Sequence, residues 1–201
     1  MIKSVLFDMG NVLLCYDAKR AGLRFAKECK VPLLKLWTHF FTSEVEKAYT
    51  RGEMTSHQFY KHSKQVLKFP VNYKTFQHYW NDIFWENPGM EPLLRQLKKK
   101  YPLYVISNTN EMHFSYIKKK FPHVFQHFKK TFPSHEMGCR KPDTLIFEKV
   151  LKIIKLKPEE TVFIDDVKKF VDGAKAAGMH AIRFRNVPQM VKDLKKLGVT
   201  L

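Results

Sequence analysis

Three short apolar runs, each climbing to polar groups at its carboxyl end, constrain this chain more than any other feature. Ser4-Val5-Leu6-Phe7 leads to Asp8 and a turn on Gly10 and Asn11, Leu103-Tyr104-Val105-Ile106 leads to Ser107 and Asn108, and Thr161-Val162-Phe163-Ile164 leads to Asp165 and Asp166. Runs of this length, free of Pro, suit buried strands, and Gly10 and Asn11 tolerate backbone shapes that a β-branched residue would not. Helical spacing separates the runs: Leu93, Leu94 and Leu97; Phe114 and Ile117; Ile146, Phe147, Val150, Leu151 and Ile154; then Ala174 to Ala177 before Gly178. A further strand from His180 to Phe184 and a helix from about Pro188 close the sequence. Alternation of this kind predicts an α/β fold, a Rossmann-like parallel sheet with helices on both faces joined by right-handed crossovers. In such a sheet all strand ends of one sense share an edge, the edge where ligands bind.

Between Cys15 and Asn87 the strand pattern is missing. Ala21, Phe25 and Ala26 share a helical face, and a second helix starts near Pro32 with Leu33, Leu36, Trp37 and Phe40. After the break at Arg51 to Thr55, Thr55 caps a third helix through Phe59, Tyr60 and Val66, and Tyr73, Phe76, Tyr79, Trp80, Ile83 and Phe84 form an aromatic stripe on a fourth. Stripes of this kind pack between helices far more often than they stack on a ligand. The expected organisation is a core of residues 1–15 and 88–201 with an all-helical insertion over 16–87.

With 44% apolar residues, 17 of them Phe, the 201-residue chain can fill a substantial core, which excludes disorder as its ground state. Lys and Arg total 36 against 19 Asp and Glu, a formal charge of +17, so anions are attracted over long range and the basic surface can meet anionic partners. The lysines fall in short runs at helix ends such as Lys98–Lys100 and Lys118–Lys120, and no zinc spacing, basic arm or aromatic-glycine signature accompanies them, so a dedicated nucleic-acid role is not expected. Cys15, Cys29 and Cys139 fit neither a disulfide framework nor a metal pair, and the first apolar run is too short for a signal or a membrane span. The expectation is a soluble protein of the cytoplasm.

Read singly, each polar group has an ordinary explanation. Asp8 and Ser107 can cap the segments after them, one of Asp165 and Asp166 can do the same, and Lys141 can be a surface lysine. Gathered on one sheet edge they support a definite chemistry. Crowded carboxylates repel unless a cation joins them, and hard oxygen donors suit Mg²⁺. A carboxylate facing a phosphoryl group can attack phosphorus, while a hydroxyl and an ammonium hold the equatorial oxygens.

These stretches resemble the four motifs of the haloacid dehalogenase-like hydrolase superfamily. Phe7 to Leu14 is similar to the first, Val105 to Asn110 to the second, Gly138 to Asp143 to the third, and Val162 to Asp166 with Gly173 to Gly178 to the fourth. Asn11 after Gly10 is similar to the sugar-phosphate phosphatases of the glucose-1-phosphate type. The resemblance implies Asp8 as nucleophile and metal ligand, the Gly10 carbonyl and Asp166 on Mg²⁺, Ser107 and Asn108 on phosphate, Lys141 as a catalytic and phosphate-binding cation, Asp165 in support, and residues 16–87 as a cap. Three positions depart from the superfamily pattern. Gly10 stands where many members carry a second Asp that acts as general acid and base, and Val167 and Phe170 stand where polar residues usually steady the metal and the lysine.

The expected function is Mg²⁺-dependent hydrolysis of a small phosphorylated metabolite, a sugar phosphate for preference, through an aspartyl phosphate. Two alternatives remain at this level: a catalytically weak phosphate-binding or regulatory member, and a 2-haloacid dehalogenase, against which the Asp165-Asp166 pair argues.

Overall fold

A computed structural model describes residues 1–28 and 31–201 of the chain; Cys29 falls outside them, and Cys15 and Cys139 are free thiols. Seven strands are present among the described residues: β1 (Ser4–Phe7), β2 (Leu14–Tyr16), β3 (Phe84–Glu86), β4 (Leu103–Ser107), β5 (Lys130–Pro133), β6 (Thr161–Asp165) and β7 (His180–Arg183). Five of them form one sheet in the order β5-β4-β1-β6-β7, with every neighbouring pair parallel. The first strand in sequence is thus the middle strand in space, flanked by the two others that end in polar groups. Val5 lies level with Leu103 on one side and Val162 on the other.

All four residues of β1 are buried, as expected of a central strand covered on both faces. Its side chains alternate. Val5 and Phe7 join an apolar cluster with Leu94, Ile117 and Met190 from the helices Met90–Leu97, Glu111–Lys120 and Val187–Lys196. Leu6 points the other way, to Phe147, Val150 and Ala174 of the helices Thr144–Ile154 and Lys168–Ala176. The parallel α/β architecture read from the sequence is the one observed. Gly173 permits a close joint between the helix Lys168–Ala176 and the loop before the helix Thr144–Ile154, since a Cβ there would run into the carbonyl oxygen of Pro142.

From Ala18 to Asn81 the chain is helical, in the segments Ala18–Glu28, Leu33–Phe41, Glu44–Thr50, Ser56–Leu67 and Tyr73–Asn81. Thr55 caps the fourth of these as its sequence suggests: its hydroxyl accepts from Gln58 N at 3.3 Å, and its own N–H donates to Gln58 Oε1 at 2.7 Å. Phe25, Phe40, Phe59 and Phe76 meet in the middle of the bundle and continue the apolar cluster of the sheet. One feature differs from the expectation of helix alone. β3 pairs antiparallel with β2, Tyr16 opposite Phe84, so the two chain crossings between bundle and sheet form a two-stranded ribbon. Three residues are too few to display a period of two, and Phe84 also fits the helical spacing of the stripe before it. Among the described residues no helix is long and apolar enough to cross a membrane.

Candidate active site

The carboxyl edge of the sheet brings together residues more than a hundred positions apart. β1 delivers Asp8, whose backbone N–H still donates to the Ile164 carbonyl of β6 at 2.8 Å, so the acid is fixed in the ladder although it lies past the strand's last residue. β4 delivers Ser107 and Asn108, and β6 delivers Asp165 and Asp166. Lys141 comes from the loop before the helix Thr144–Ile154 and is almost fully buried, with 1% of its surface exposed. Its Nζ donates to Asp8 Oδ1 at 2.6 Å and to Asp165 Oδ2 at 2.5 Å. Asp8, Gly10, Ser107, Asn108, Lys141 and Asp166 line one cavity of about 350 Å³, and the fully buried Asp165 joins them through Lys141.

The site holds more negative charge than its lysine can balance: three carboxylates, Asp8, Asp165 and Asp166, against one ammonium, Lys141. Burial, only partly opposed by Lys141, pushes the Asp8 carboxyl up to about 7. Burial and the charge of Asp165 raise Asp166 as well. Burial works against the Lys141 ammonium, but Asp8 and Asp165 outweigh it and hold the group above the ordinary lysine range. One oxygen from each of the three acids lies within 4.8 Å of the others. Hard oxygen donors at that spacing, with unbalanced negative charge, fit a divalent cation such as Mg²⁺. The acids are not equally available to it. Asp165 has both oxygens engaged, Oδ2 by Lys141 and Oδ1 by the Val167 N–H at 2.8 Å, whereas Asp8 and Asp166 each keep an oxygen beyond their single side-chain partners, Lys141 and Asn11.

Asn108 and the two apolar departures act differently from what their residue types suggest. The Asn108 side chain grips the backbone of Lys141 from both ends: Nδ2 donates to its carbonyl at 2.8 Å and Oδ1 accepts its N–H at 2.8 Å. It positions the lysine, and its backbone N–H is what it has left for an anion. Val167 uses its backbone N–H where a polar side chain was expected. Phe170 lies with its ring centroid 4.9 Å from Lys141 Nζ, and the Phe163 ring is at 5.1 Å, so the ammonium sits between aromatic rings as well as between carboxylates. Support for the lysine is present here in another chemical form.

Several contributors lie outside the residues given a role from the sequence. Asn11, at φ 55°, donates from Nδ2 to Asp166 Oδ2 at 3.3 Å. The ring of Tyr16 lies directly over Gly10: a Cβ on that glycine would come within 2.9 Å of Tyr16 Cε1. The place of the missing side chain is thus filled by an aromatic ring from β2. Arg140 ties the loop of Lys141 to the helical bundle, donating to Glu46 Oε2 at 3.1 Å and to Thr50 Oγ1 at 2.8 Å. The aromatic stripe is divided. Phe76 is core, as expected, but Trp80, Ile83 and Phe84 line the cavity along with Trp37 and Phe41.

Comparison with known proteins bears on this arrangement. A sesquiterpene phosphatase (astK) of Aspergillus oryzae is 27% identical over 97% of this chain and 96% of its own, and a D-ribitol-5-phosphate phosphatase of Bacteroides thetaiotaomicron is 22% identical over 92% and 93%. Drimenol cyclase drtB of Aspergillus calidoustus is 24% identical over 98% of this chain, which spans only 37% of that protein's length. The crystal structure of a haloacid dehalogenase family enzyme from Bacteroides thetaiotaomicron, in complex with magnesium and inorganic phosphate, superposes with a TM-score of 0.84 and 28% identity over 92% of this chain and 96% of that one. The family model of the haloacid dehalogenase-like hydrolases matches residues 2–178, a span that takes in Asp8, Ser107, Lys141, Asp165 and Asp166. The chain with a buried lysine between two strand-end acids belongs to the haloacid dehalogenase-like hydrolase family.

Proposed function

We propose that this hydrolase is a Mg²⁺-dependent phosphatase of small phosphate monoesters that works through an aspartyl phosphate on Asp8. The observation that carries the reading is the Lys141 ammonium held between Asp8 and Asp165 beside a cavity lined by Asp8, Ser107 and Asp166. One Asp8 oxygen is engaged by that ammonium, and the other is the group that attacks phosphorus. The phosphorus–oxygen bond to the alcohol breaks, the leaving oxygen takes a proton from water, and a second water then cleaves the acyl phosphate, releasing inorganic phosphate and restoring the carboxylate. Lys141 offsets the charge gathering on the phosphoryl oxygens, and the Ser107 hydroxyl and Asn108 N–H hold them. Asp8, the Gly10 carbonyl and Asp166 are the groups that would hold Mg²⁺, which neutralises phosphoryl charge when bound. Residues 16–87 act as the cap, with residues 1–15 and 88–201 as the core domain.

Gly10 favours a second reading, a member retained for binding with weak turnover, because positioned proton transfer commonly contributes about 10²–10⁴-fold to rate and no carboxylate stands there. The two relatives that align end to end are named for a sesquiterpene and a pentitol phosphate, so family membership alone does not set the alcohol. Release of p-nitrophenol from p-nitrophenyl phosphate, measured with Mg²⁺ and with EDTA, separates the readings. The phosphatase requires the metal and is silenced by Asp8→Asn. No release, from p-nitrophenyl phosphate or from a panel of sugar phosphates, would leave binding as the function.

A further inference from the structure

Above the phosphoryl site, the walls of the cavity are aromatic, and several of the polar side chains among them already hold partners within the protein, with the buried Trp80 indole N–H an exception. Trp37 and Phe41 lie with ring centroids 4.8 Å apart, Phe41 stacks on Trp80 at 5.7 Å with planes 10° apart, and His113 extends the row at 4.9 Å from Trp80. Trp37 is 41% exposed at the outer end of this row, whereas Trp80 is 1% exposed, so the row runs from solvent into the interior. Across the β2–β3 ribbon, Tyr16 and Phe84 pair at 6.0 Å and add a second apolar surface.

The polar side chains of the same walls face one another. Arg140 is held by Glu46 and Thr50, and Thr50 Oγ1 donates to the Glu46 carbonyl at 3.0 Å. Thr42 Oγ1 donates to the Thr38 carbonyl at 3.1 Å. Asn110 Oδ1 accepts the His113 N–H at 3.0 Å, its Nδ2 meets His113 Nδ1 at 3.2 Å, and His113 Nε2 meets the Trp80 carbonyl at 3.0 Å. Burial pushes His113 down to about 4, so it is a neutral ring with both nitrogens engaged. A polyol entering this space would bring more hydroxyls than the few free groups of the wall, such as the Trp80 indole N–H, can pair. Each hydroxyl buried unpaired costs roughly ten- to a hundredfold in affinity.

From this geometry we infer that the ester's alcohol is a bulky apolar group, aromatic or extended hydrocarbon, lying along the Trp37–Phe41–Trp80 row, and not a sugar. The inference rests on the phosphatase reading and names its substrate class. The phosphate supplies the charge that the floor recognises, and the alcohol supplies only apolar area, which needs no hydrogen bond and gains affinity by leaving water.

The test is a series of n-alkyl phosphates from ethyl to hexyl, with benzyl and 2-phenylethyl phosphate, set against D-ribitol 5-phosphate and glucose 6-phosphate, all with Mg²⁺. Alkyl leaving groups differ little in intrinsic reactivity, so chain length reports the wall. The expected result is a rise in kcat/KM of about three- to fourfold per methylene, carried mainly by KM, with the arylalkyl esters above both polyol phosphates. Trp37→Ala is expected to lower hexyl phosphate turnover more than ethyl. A series flat in chain length, or polyol phosphates turned over tenfold faster than the hexyl ester, with release still dependent on Asp8, would overturn the substrate class alone. No release from any ester above the level of Asp8→Asn would overturn the hydrolytic reading and this inference with it.

Discussion

At the strand ends, the floor of the cavity concentrates charge: Lys141 in contact with both Asp8 and Asp165, Asp166 beside them, the Val167 N–H fixing Asp165 and the Asn108 side chain fixing the Lys141 backbone. The wall, built from the helical bundle and the ribbon, is mainly aromatic, and several of its polar side chains are already paired within the protein. The floor rests on a five-stranded sheet whose central strand is hydrogen-bonded on both sides; the wall rests on helices packed through rings. The difference separates two tasks. Precise placement of charge needs the rigid ladder, where a small displacement would leave a buried ion unpaired, whereas accommodating an apolar alcohol needs only shape and area.

The sharpest way to break the comparison is to remove the attacking oxygen. Asp8→Asn keeps the shape of the floor and is expected to lower phosphate release by about 10⁴-fold or more while leaving the thermal unfolding transition cooperative. Steady-state release and a melting curve on the same sample check both halves. Lys141→Met comes next and strikes stability as well as rate. It leaves Asp8 and Asp165 buried without a counter-charge, a change that costs about 3–5 kcal/mol in comparable buried pairs. Urea unfolding should show the deficit growing from pH 5 to pH 8, since Asp8, already raised by burial to about 7, loses the ammonium that favours its charged form.

Floor and wall also titrate in opposite senses. Burial pushes His39 and His113 down to about 4, so between pH 6.5 and 4 the unfolded chain takes up protons at these rings and the folded chain does not. Stability from the neutral rings is present above pH 6.5 and lost as pH falls toward 4, by at most about 3 kcal/mol for each. Asp8, raised by burial to about 7, does the reverse: its folded form holds a proton between pH 7 and 3.8 that the unfolded chain has released, so falling pH favours the fold. In EDTA, Asp8→Asn should therefore steepen the acid loss of stability, and His113→Gln should flatten it; melting temperatures at four pH values decide. The smallest effect belongs to Phe170→Asn. It restores the residue type usual in the family and removes a ring from Lys141, with an expected loss of about 1 kcal/mol in urea. A gain in stability there would mean that the ring is not a support.

The sequence made the floor legible because each of its acids terminates an apolar run, and a parallel sheet gathers such ends on one edge. Lys141 was legible only through the Gly138 to Asp143 motif, since nothing in its loop distinguishes a buried lysine from a solvated one. The wall was harder to read. Helical spacing identified Trp80 and Phe84 as inward-facing, but whether inward meant core or cavity depended on the ribbon, and a three-residue strand leaves no periodic trace. Gly10 read as a deficit, because the ring that covers it comes from Tyr16 through a turn whose direction is not encoded locally. Val167 and Phe170 read as losses for a related reason: side-chain polarity was the visible property, while a backbone N–H and a ring face carry the contacts.

The assignment of Asp8 as the attacking group is open to one direct measurement. The enzyme is quenched in acid during turnover of a phosphate monoester with Mg²⁺, reduced with borohydride, digested and mapped by mass spectrometry. An acyl phosphate on Asp8 is reduced to homoserine at position 8, and the account predicts that product there, dependent on substrate, with Asp165 and Asp166 unchanged. Homoserine at either of those positions, or an unmodified Asp8 in an enzyme that is visibly turning over, would contradict it.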